Sequence, residues 1–158
     1  MGCDQTGWTF HEGELDREDV RALLAQHLAF AHASSPREAV HALSVDRLVE
    51  PGVRFFSVRE DGALLGVGAL REVEPGHGEV KSMRTADAAL RRGVARAMLA
   101  HLIDEARAMG WRRISLETGS GLPFAPANRL YEAEGFERSG QFGAYADNAF
   151  TKFYTRLL

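Results

Sequence analysis

A short basic stretch that is rich in small residues lies in the second half of this 158-residue chain. It reads Leu90-Arg91-Arg92-Gly93-Val94-Ala95 and opens a segment with the periodicity of a long amphipathic helix. The N–H groups at a helix start have no partner inside the helix, and the helix dipole is positive there, so an anion is favoured. Gly93 and Ala95 would let a bulky anion approach the backbone, and the two arginines would donate charged hydrogen bonds. The stretch is typical of a pyrophosphate-binding site, although an arginine pair near a helix start is also common on solvated surfaces.

Charged side chains on one predicted strand offer a second kind of chemistry. The strand over residues 79–85 carries Glu79, Lys81 and Arg84, whereas a strand at the centre of an α/β sheet is usually apolar on both faces. Buried charges are costly unless they are paired, so these residues indicate either a solvated cleft or a buried ionic network. The two-residue period of a strand predicts one face that holds Glu79, Lys81, Met83 and Thr85.

The elements that must position these residues alternate along the chain. Seven strands are predicted, over residues 8–14, 54–60, 63–73, 79–85, 112–118, 136–140 and 150–158. Four helices are predicted: one capped by Asp16, one from the capping box at Ser35 to about Leu43, one over Leu90–Met109 and one over Pro126–Glu134. The order β-α-α-β-β-β-α-β-α-β-β predicts a mixed α/β sandwich with helices covering a central sheet.

Length and composition restrict the classes of protein. The chain is long enough for one domain with one core, expected over residues 8–158 after a flexible start at residues 1–7. The net charge of −3 gives no basic field for nucleic acid, and the single cysteine, Cys3, fits a reducing cytoplasm. No apolar run has the length of a membrane span, and the match of Met1–Thr6 to a myristoylation pattern is interpreted as chance. None of the histidines lies at a metal-ligand spacing from a second His or Cys, so we expect no bound metal.

Two motifs of this chain, the stretch at residues 90–95 and a later one at residues 127–136, resemble two motifs that occur in the same order in the GNAT superfamily of acetyl-CoA-dependent N-acetyltransferases. The phosphate motif of that family, [QR]-x-x-G-x-[GA], aligns with residues 90–95, with Leu90 in place of the first Gln or Arg. The second motif, A-x-x-L-Y-x-x-x-G-F, is met by Ala127, Leu130, Tyr131, Gly135 and Phe136. The resemblance implies a GNAT fold: a mixed, mostly antiparallel sheet with splayed central parallel strands, flanked by about four helices.

The resemblance also implies where acetyl-CoA would bind as co-substrate. The pantetheine arm of the cofactor would pair with the backbone of the strand before the phosphate motif, at Met83 and Thr85. The Met83 N–H would point at the thioester carbonyl. The residues implied to hold the cofactor are Met83, Arg84, Thr85, Arg91, Arg92, Gly93, Val94, Ala95, Arg96, Asn128 and Tyr131.

Acetyl transfer to an amine involves two proton transfers. Tyr131 matches the family tyrosine that protonates the leaving CoA thiolate. Glu79 lies four residues before Met83, where family members hold a glutamate as general base, and Glu117 in SLETG is the second candidate. Each glutamate has an alternative as a structural ion-pair partner: Glu79 of Lys81 or of a nearby arginine, and Glu117 of Lys81 or Arg84.

The acceptor is expected to be the primary amine of a small molecule. Its site should be lined by the first two helices, the hairpin around Glu60–Leu64, the loop GSGLPFAPAN and the FGAYADN stretch. Lys81 and Arg84 would favour an acceptor with a carboxylate, such as an amino acid. A protein or peptide amine, a non-catalytic acyl-CoA sensor and an interaction module without a ligand are the alternatives, and a homodimer is left open.

Overall fold

The computed structural model describes residues 7–36, 45–143, 145 and 148–158. The strands are β1 (Thr9–Glu12), β2 (Val53–Glu60), β3 (Ala63–Glu74), β4 (His77–Thr85), β5 (Arg113–Gly119), β6 (Glu137–Ser139) and β7 (Thr151–Leu157). The helices are α1 (Glu18–Ser34), α2 (Val45–Leu48), α3 (Val94–Ala108) and α4 (Ala125–Ala133). The order of the strands and of α1, α3 and α4 is the predicted one, whereas α2 begins after the segment predicted for the second helix, Ser35 to about Leu43. None of the helices in the described part of the chain is long and apolar enough to cross a membrane.

The strands form one seven-stranded sheet in the order β1-β2-β3-β4-β5-β7-β6. Every neighbouring pair is antiparallel except β4 and β5, which run parallel. The β2–β3 hairpin turns at Asp61 and Gly62, both with positive φ, as a two-residue hairpin turn requires. The mixed, mostly antiparallel sheet with a central parallel pair confirms the predicted fold class.

The two faces of the sheet carry separate hydrophobic clusters. Helix α3 covers one face with residues at helical spacing, Val94, Met98, Leu99, Leu102 and Ile103, which pack on Phe56, Leu70, Val80 and Ile114. Helices α1 and α2 cover the other face, where Val20, Leu23, Leu24 and Leu48 meet Phe55, Val67 and Ala69. Close packing under α3 depends on Gly68, because a Cβ at this position would lie 2.9 Å from the Met98 side chain.

The predicted start of α3 at Leu90 is wrong. Leu90 is extended, Arg91 has a φ of +65° and Gly93 has a φ of +85°, so the right-handed helix begins only at Val94. Residues 90–93 therefore form a loop that leads into α3, and Gly93 is its N-cap. The helix ends at Ala108, and Gly110 follows with the positive φ expected of a C′ glycine.

Three further differences from the predicted elements concern chain ends and turns. Asp16 does not cap α1: the N-cap is Arg17, which makes no side-chain cap bond, and acidic Glu18 and Asp19 occupy the first turn instead. Strand β4 begins two residues before the predicted residue 79, and His77 is its buried first residue. Of the second helix predicted from Ser35 to about Leu43, residues 37–43 lie outside the described residues, as do residues 1–6 with Cys3.

Candidate active site

A cavity opens where β4 and β5 separate. The two strands pair at only three positions, His77–Arg113, Gly78–Ile114 and Glu79–Ser115. Beyond these positions the later part of β4 has no strand partner on that side, and a cavity of about 560 Å³ begins there. The cavity is lined by side chains of α1, β4, β5 and α4 together with the start of α3. Free backbone N–H and C=O groups along β4 are suited to pairing with an extended ligand.

A β-bulge in β4 decides which side chains face which side of the sheet. Lys81 pairs with Ala69 and Arg84 with Val67, so Ser82 and Met83 together lie opposite Gly68. Ser82 has a φ of +56°. The bulge reverses the alternation that the sequence predicts, because Met83 packs in the α3-side cluster whereas Lys81 lies on the opposite face with Glu79. The prediction that Glu79, Lys81, Met83 and Thr85 share one face is therefore wrong.

The loop before α3, residues 90–93, and the first turn of α3 form one wall of the cavity. Leu90, Val94 and Ala95 line it. A Cβ placed on Gly93 would meet no atom within 4 Å, so the space beside this backbone is open. An anion at this helix N-terminus would have both room and unpaired N–H groups, which is what a pyrophosphate requires.

The three arginines of this region are exposed and partly engaged. Arg92 donates to Glu60 Oε1 at 2.8 Å, and its guanidinium lies 5.6 Å from the centre of the Trp8 ring. Arg96 forms an ion pair with Glu134 at 3.3 Å. Arg91 is exposed. None of the three lines the cavity as the structure describes it, so their contacts with a cofactor remain predictions.

A buried ionic cluster forms part of the cavity wall on the α1 side of the sheet. Nζ of Lys81 is 3.7 Å from Oε2 of Glu79 and 3.9 Å from Oε1 of Glu117, and it donates to the Tyr145 hydroxyl at 2.8 Å. Burial raises the pKa of Glu79 and lowers the pKa of Lys81, because it disfavours the charged form of both groups. Both glutamates thus pair with Lys81, but only Glu117 also lines the cavity.

Two residues in the second motif, Tyr131 and Asn128, were assigned roles, and they differ in their access to the cavity. Tyr131 lines the cavity and packs against Phe136 and Tyr154, and burial raises the pKa of its phenol to about 12. Asn128 is buried and does not line the cavity. Its Oδ1 accepts from Thr118 at 2.8 Å and its Nδ2 donates to the Gly119 carbonyl at 2.9 Å, so it ties α4 to the end of β5. A contact between Asn128 and a cofactor stays a prediction.

Three phenylalanines of the cavity wall were not singled out in the sequence, although two of them lie in the first helix and in the loop GSGLPFAPAN, which were expected to line the acceptor site. Phe30 of α1, Phe124 before α4 and Phe150 before β7 line one region, and their rings meet edge to face, with centroids 5.5 and 5.7 Å apart. His27 lies one turn before Phe30. Its pKa is lowered to about 4, first by burial and then by Arg84 and Lys81. No local signal in the sequence brings these segments together, since only the tertiary fold does.

Of the segments expected to line the acceptor site, some line this cavity and one does not. The first helix and the loop before α4 line the cavity, whereas the hairpin at Glu60–Leu64 does not. Glu60 instead bonds Arg92 and the Trp8 indole N–H. Within the described residues, no three His, Cys, Asp or Glu side chains come together as a metal site would need.

Comparison with known proteins agrees with this fold. The Acetyltransferase (GNAT) family matches residues 18–136. Over 145 residues the chain is 42% identical to the uncharacterized N-acetyltransferase YsnE of Bacillus subtilis, covering 92% of this chain and 96% of that protein. It is 36% identical over 124 residues to a protein named IAA acetyltransferase from Azospirillum brasilense, covering 78% and 80% of the two chains.

A solved structure shows the same fold at low identity. It is a GNAT family acetyltransferase from Elizabethkingia anophelis with acetyl-CoA bound, with a TM-score of 0.71 and 15% identity over 96% of this chain and 98% of that one. The chain belongs to the GNAT acetyltransferase family. It is an acyltransferase of the N-acetyltransferase type.

Proposed function

We propose that this protein transfers an acetyl group from acetyl-CoA to the primary amine of a small molecule, by direct attack within a ternary complex. The observation that carries the proposal is the shared cavity at the β4–β5 opening. It joins a free strand edge, an open helix N-terminus, a carboxylate at Glu117 and a phenol at Tyr131. A non-catalytic acyl-CoA sensor would need none of these proton-transfer groups.

The residues present fit acetyl-CoA. The open space at Gly93 and the N–H groups that begin α3 suit its pyrophosphate, and the unpaired later part of β4 suits its pantetheine arm. When bound, the cofactor supplies a thioester whose carbonyl carbon accepts the amine. Met83 lies in the bulge, where the regular strand pairing is interrupted, so its N–H would donate to the carbonyl oxygen as negative charge develops.

The proton transfers are assigned to two side chains of the cavity wall. A C–N bond forms and the C–S bond breaks, so the amine loses a proton and the sulfur gains one. Glu117 is the first candidate for accepting the proton of the amine, because it lines the cavity and Glu79 lies behind Lys81. Glu79 remains the second candidate, acting through water. Tyr131 keeps its phenolic proton across the neutral range and can donate it to the thiolate.

Two measurements test this function. Calorimetric titration with acetyl-CoA tests the cofactor site, and a screen of small amines by free-thiol release tests the transfer. We expect micromolar binding and release of thiol only in the presence of an amine. Binding without any amine-dependent thiol release would favour the sensor. Efficient reaction with peptide N-termini but with no small amine would favour a protein acetyltransferase.

A further inference from the structure

The α1 side of the cavity combines an aromatic wall with a cation. The wall is formed by Phe30, Phe124 and Phe150, whose edge-to-face contacts fix the three rings against one another. The Arg84 guanidinium lies 4.9 Å from the centre of the Phe30 ring, so it stands at the edge of this wall. An apolar surface beside a single guanidinium is suited to a ligand that is apolar at one end and anionic at the other.

Arg84 lacks the partners that its neighbour Lys81 has. Its Nε is buried and makes no hydrogen bond to any described residue, and no ion pair to Arg84 is formed within the described part of the chain. Lys81, by contrast, is held by Glu79, Glu117 and Tyr145. A buried donor without a partner costs free energy. A carboxylate matches the planar fork of a guanidinium, so a bound carboxylate would satisfy Arg84.

We propose that the acceptor is an α-amino acid with an aromatic or large aliphatic side chain. Its carboxylate binds Arg84, its side chain packs on Phe30, Phe124 and Phe150, and its amine lies toward Glu117. The proposal rests on the proposed function and adds the class of acceptor. The amine nitrogen bonds to the acetyl carbon, the C–S bond breaks, the amine proton passes to Glu117 and the thiolate takes the Tyr131 proton. The products are an N-acetyl amino acid and free CoA.

The surroundings of Arg84 agree with this assignment. His27 lines the same cavity and is neutral at pH 7, since its pKa is about 4, so it adds no charge that would compete for the carboxylate. Among the described residues, the carboxylates that line the cavity have other partners: Asp87 accepts from Gln26 at 2.9 Å, and Glu117 pairs with Lys81. Within the described part of the chain, the Arg84 guanidinium therefore stays available for a ligand.

The test compares matched acceptors on two proteins. L-phenylalanine, L-leucine, glycine, phenethylamine and spermidine are assayed by thiol release with the wild type and with Arg84→Met, which keeps an apolar chain over Phe30 and removes the charge. We expect kcat/KM for L-phenylalanine to exceed that for phenethylamine by roughly 10- to 100-fold, as one charge-assisted interaction would give. Arg84→Met should lower kcat/KM for L-phenylalanine by roughly 10- to 100-fold more than it lowers kcat/KM for phenethylamine, because only the amino acid has a carboxylate that loses its partner. Glycine should react poorly because it has no side chain for the aromatic wall.

Two separate measurements distinguish a wrong acceptor class from a wrong proposed function. Acetyl-CoA titration reports the function, and binding of N-acetyl-L-phenylalanine, measured with and without CoA, reports the acceptor site directly. Preference for phenethylamine or spermidine overturns the amino-acid assignment while acetyl transfer stands. Equal loss with both acceptors in Arg84→Met also overturns it, because that result would mean a structural role. The amino-acid assignment is likewise overturned if no amino acid reacts and N-acetyl-L-phenylalanine binds neither in the presence nor in the absence of CoA.

Discussion

Lys81 on β4 and Glu117 on β5 form an ion pair just beyond the point where the two strands part, with Nζ and Oε1 3.9 Å apart. The same ammonium lies 3.7 Å from Glu79, which is 1% exposed. The Lys81 ammonium therefore pairs with two carboxylates. The two glutamates differ in their access to the cavity, because Glu117 lines it and Glu79 does not. This difference ranks the two candidate bases.

Replacing each glutamate by glutamine should separate their roles. Glu117→Gln should lower kcat/KM by about 100-fold at neutral pH, because a positioned general base contributes at least that much. The loss should shrink at high pH, where more of the amine is already unprotonated. Glu79→Gln should lower kcat/KM by less than about 10-fold and act mainly on the melting temperature. A large kinetic loss in Glu79→Gln with normal turnover in Glu117→Gln would reverse the assignment.

A valine at Gly93 should weaken acetyl-CoA binding by at least about 10-fold, because its side chain would fill the open space beside the first N–H groups of α3. The φ of +85° also strains a branched residue, at a cost of roughly 1–2 kcal/mol in stability. Gly110→Val is the matched control. Gly110 has a φ of +82° and equally open surroundings but lies past the other end of α3.

Calorimetric titration of both variants decides this prediction. Gly110→Val should lose similar stability and bind acetyl-CoA like the wild type. Arg91→Ala should weaken binding less than Gly93→Val, and Arg92→Ala least, since Arg92 already donates to Glu60. If Gly93→Val and Gly110→Val bind acetyl-CoA equally well, the pyrophosphate does not lie at Gly93.

His27 should make the protein sensitive to acid. Its pKa falls from 6.5 to about 4 on folding, so the folded protein binds this proton less readily than the unfolded chain. The stability that follows is fully present above about pH 6.5 and is lost as the pH falls toward 4. Between pH 7 and pH 4.5, His27→Gln should lose roughly 2–3 kcal/mol less unfolding free energy than the wild type.

Urea unfolding at several pH values measures this effect. His32→Gln is the control, because His32 lies on the exposed side of the same helix. It should follow the wild-type profile. If the unfolding free energy of His27→Gln also depends on pH as in the wild type, then His27 is not the cause of the acid sensitivity.

The α3 core and the order of the strands and of α1, α3 and α4 could be predicted because they follow from local periodicity. Met98 and Leu102 recur at helical spacing, and Asp61-Gly62 is a strong hairpin signal. The bulge at Ser82 could not be predicted, because a serine with positive φ has no sequence signature. The resulting error reversed the face assignment of Met83.

The grouping of three phenylalanines in the cavity wall could not be predicted from the local sequence. Phe30, Phe124 and Phe150 come from three distant segments, and each was indistinguishable from an ordinary core aromatic. The start of α3 was misplaced for a different reason: residues 90–93 have helix-compatible types, but Arg91 and Gly93 adopt left-handed backbone. The candidate acid and bases were found through motif position, and only the structure showed that Glu117 has access to the cavity and Glu79 lies behind Lys81.

Removing the Tyr131 hydroxyl should slow turnover and leave cofactor binding unchanged. A thiolate leaves fairly well without help, so we expect kcat to fall by roughly 100-fold in Tyr131→Phe, at the low end of general acid catalysis. The pKa of about 12 means that the phenol stays protonated to about pH 11, so any alkaline limb of the wild-type rate profile below that pH has another origin. Acetyl-CoA affinity should stay the same because the ring remains.

Tyr154→Phe provides the matched control for Tyr131→Phe. The Tyr154 ring lies 6.2 Å from that of Tyr131, but its hydroxyl donates to Glu132 at 2.6 Å and it does not line the cavity. Loss of that hydroxyl should lower the melting temperature and spare kcat, which is what a purely structural tyrosine would do. Melting temperature and kcat measured on the same samples distinguish the two roles. If Tyr131→Phe behaves like Tyr154→Phe, with wild-type kcat, then another group or water protonates the thiolate.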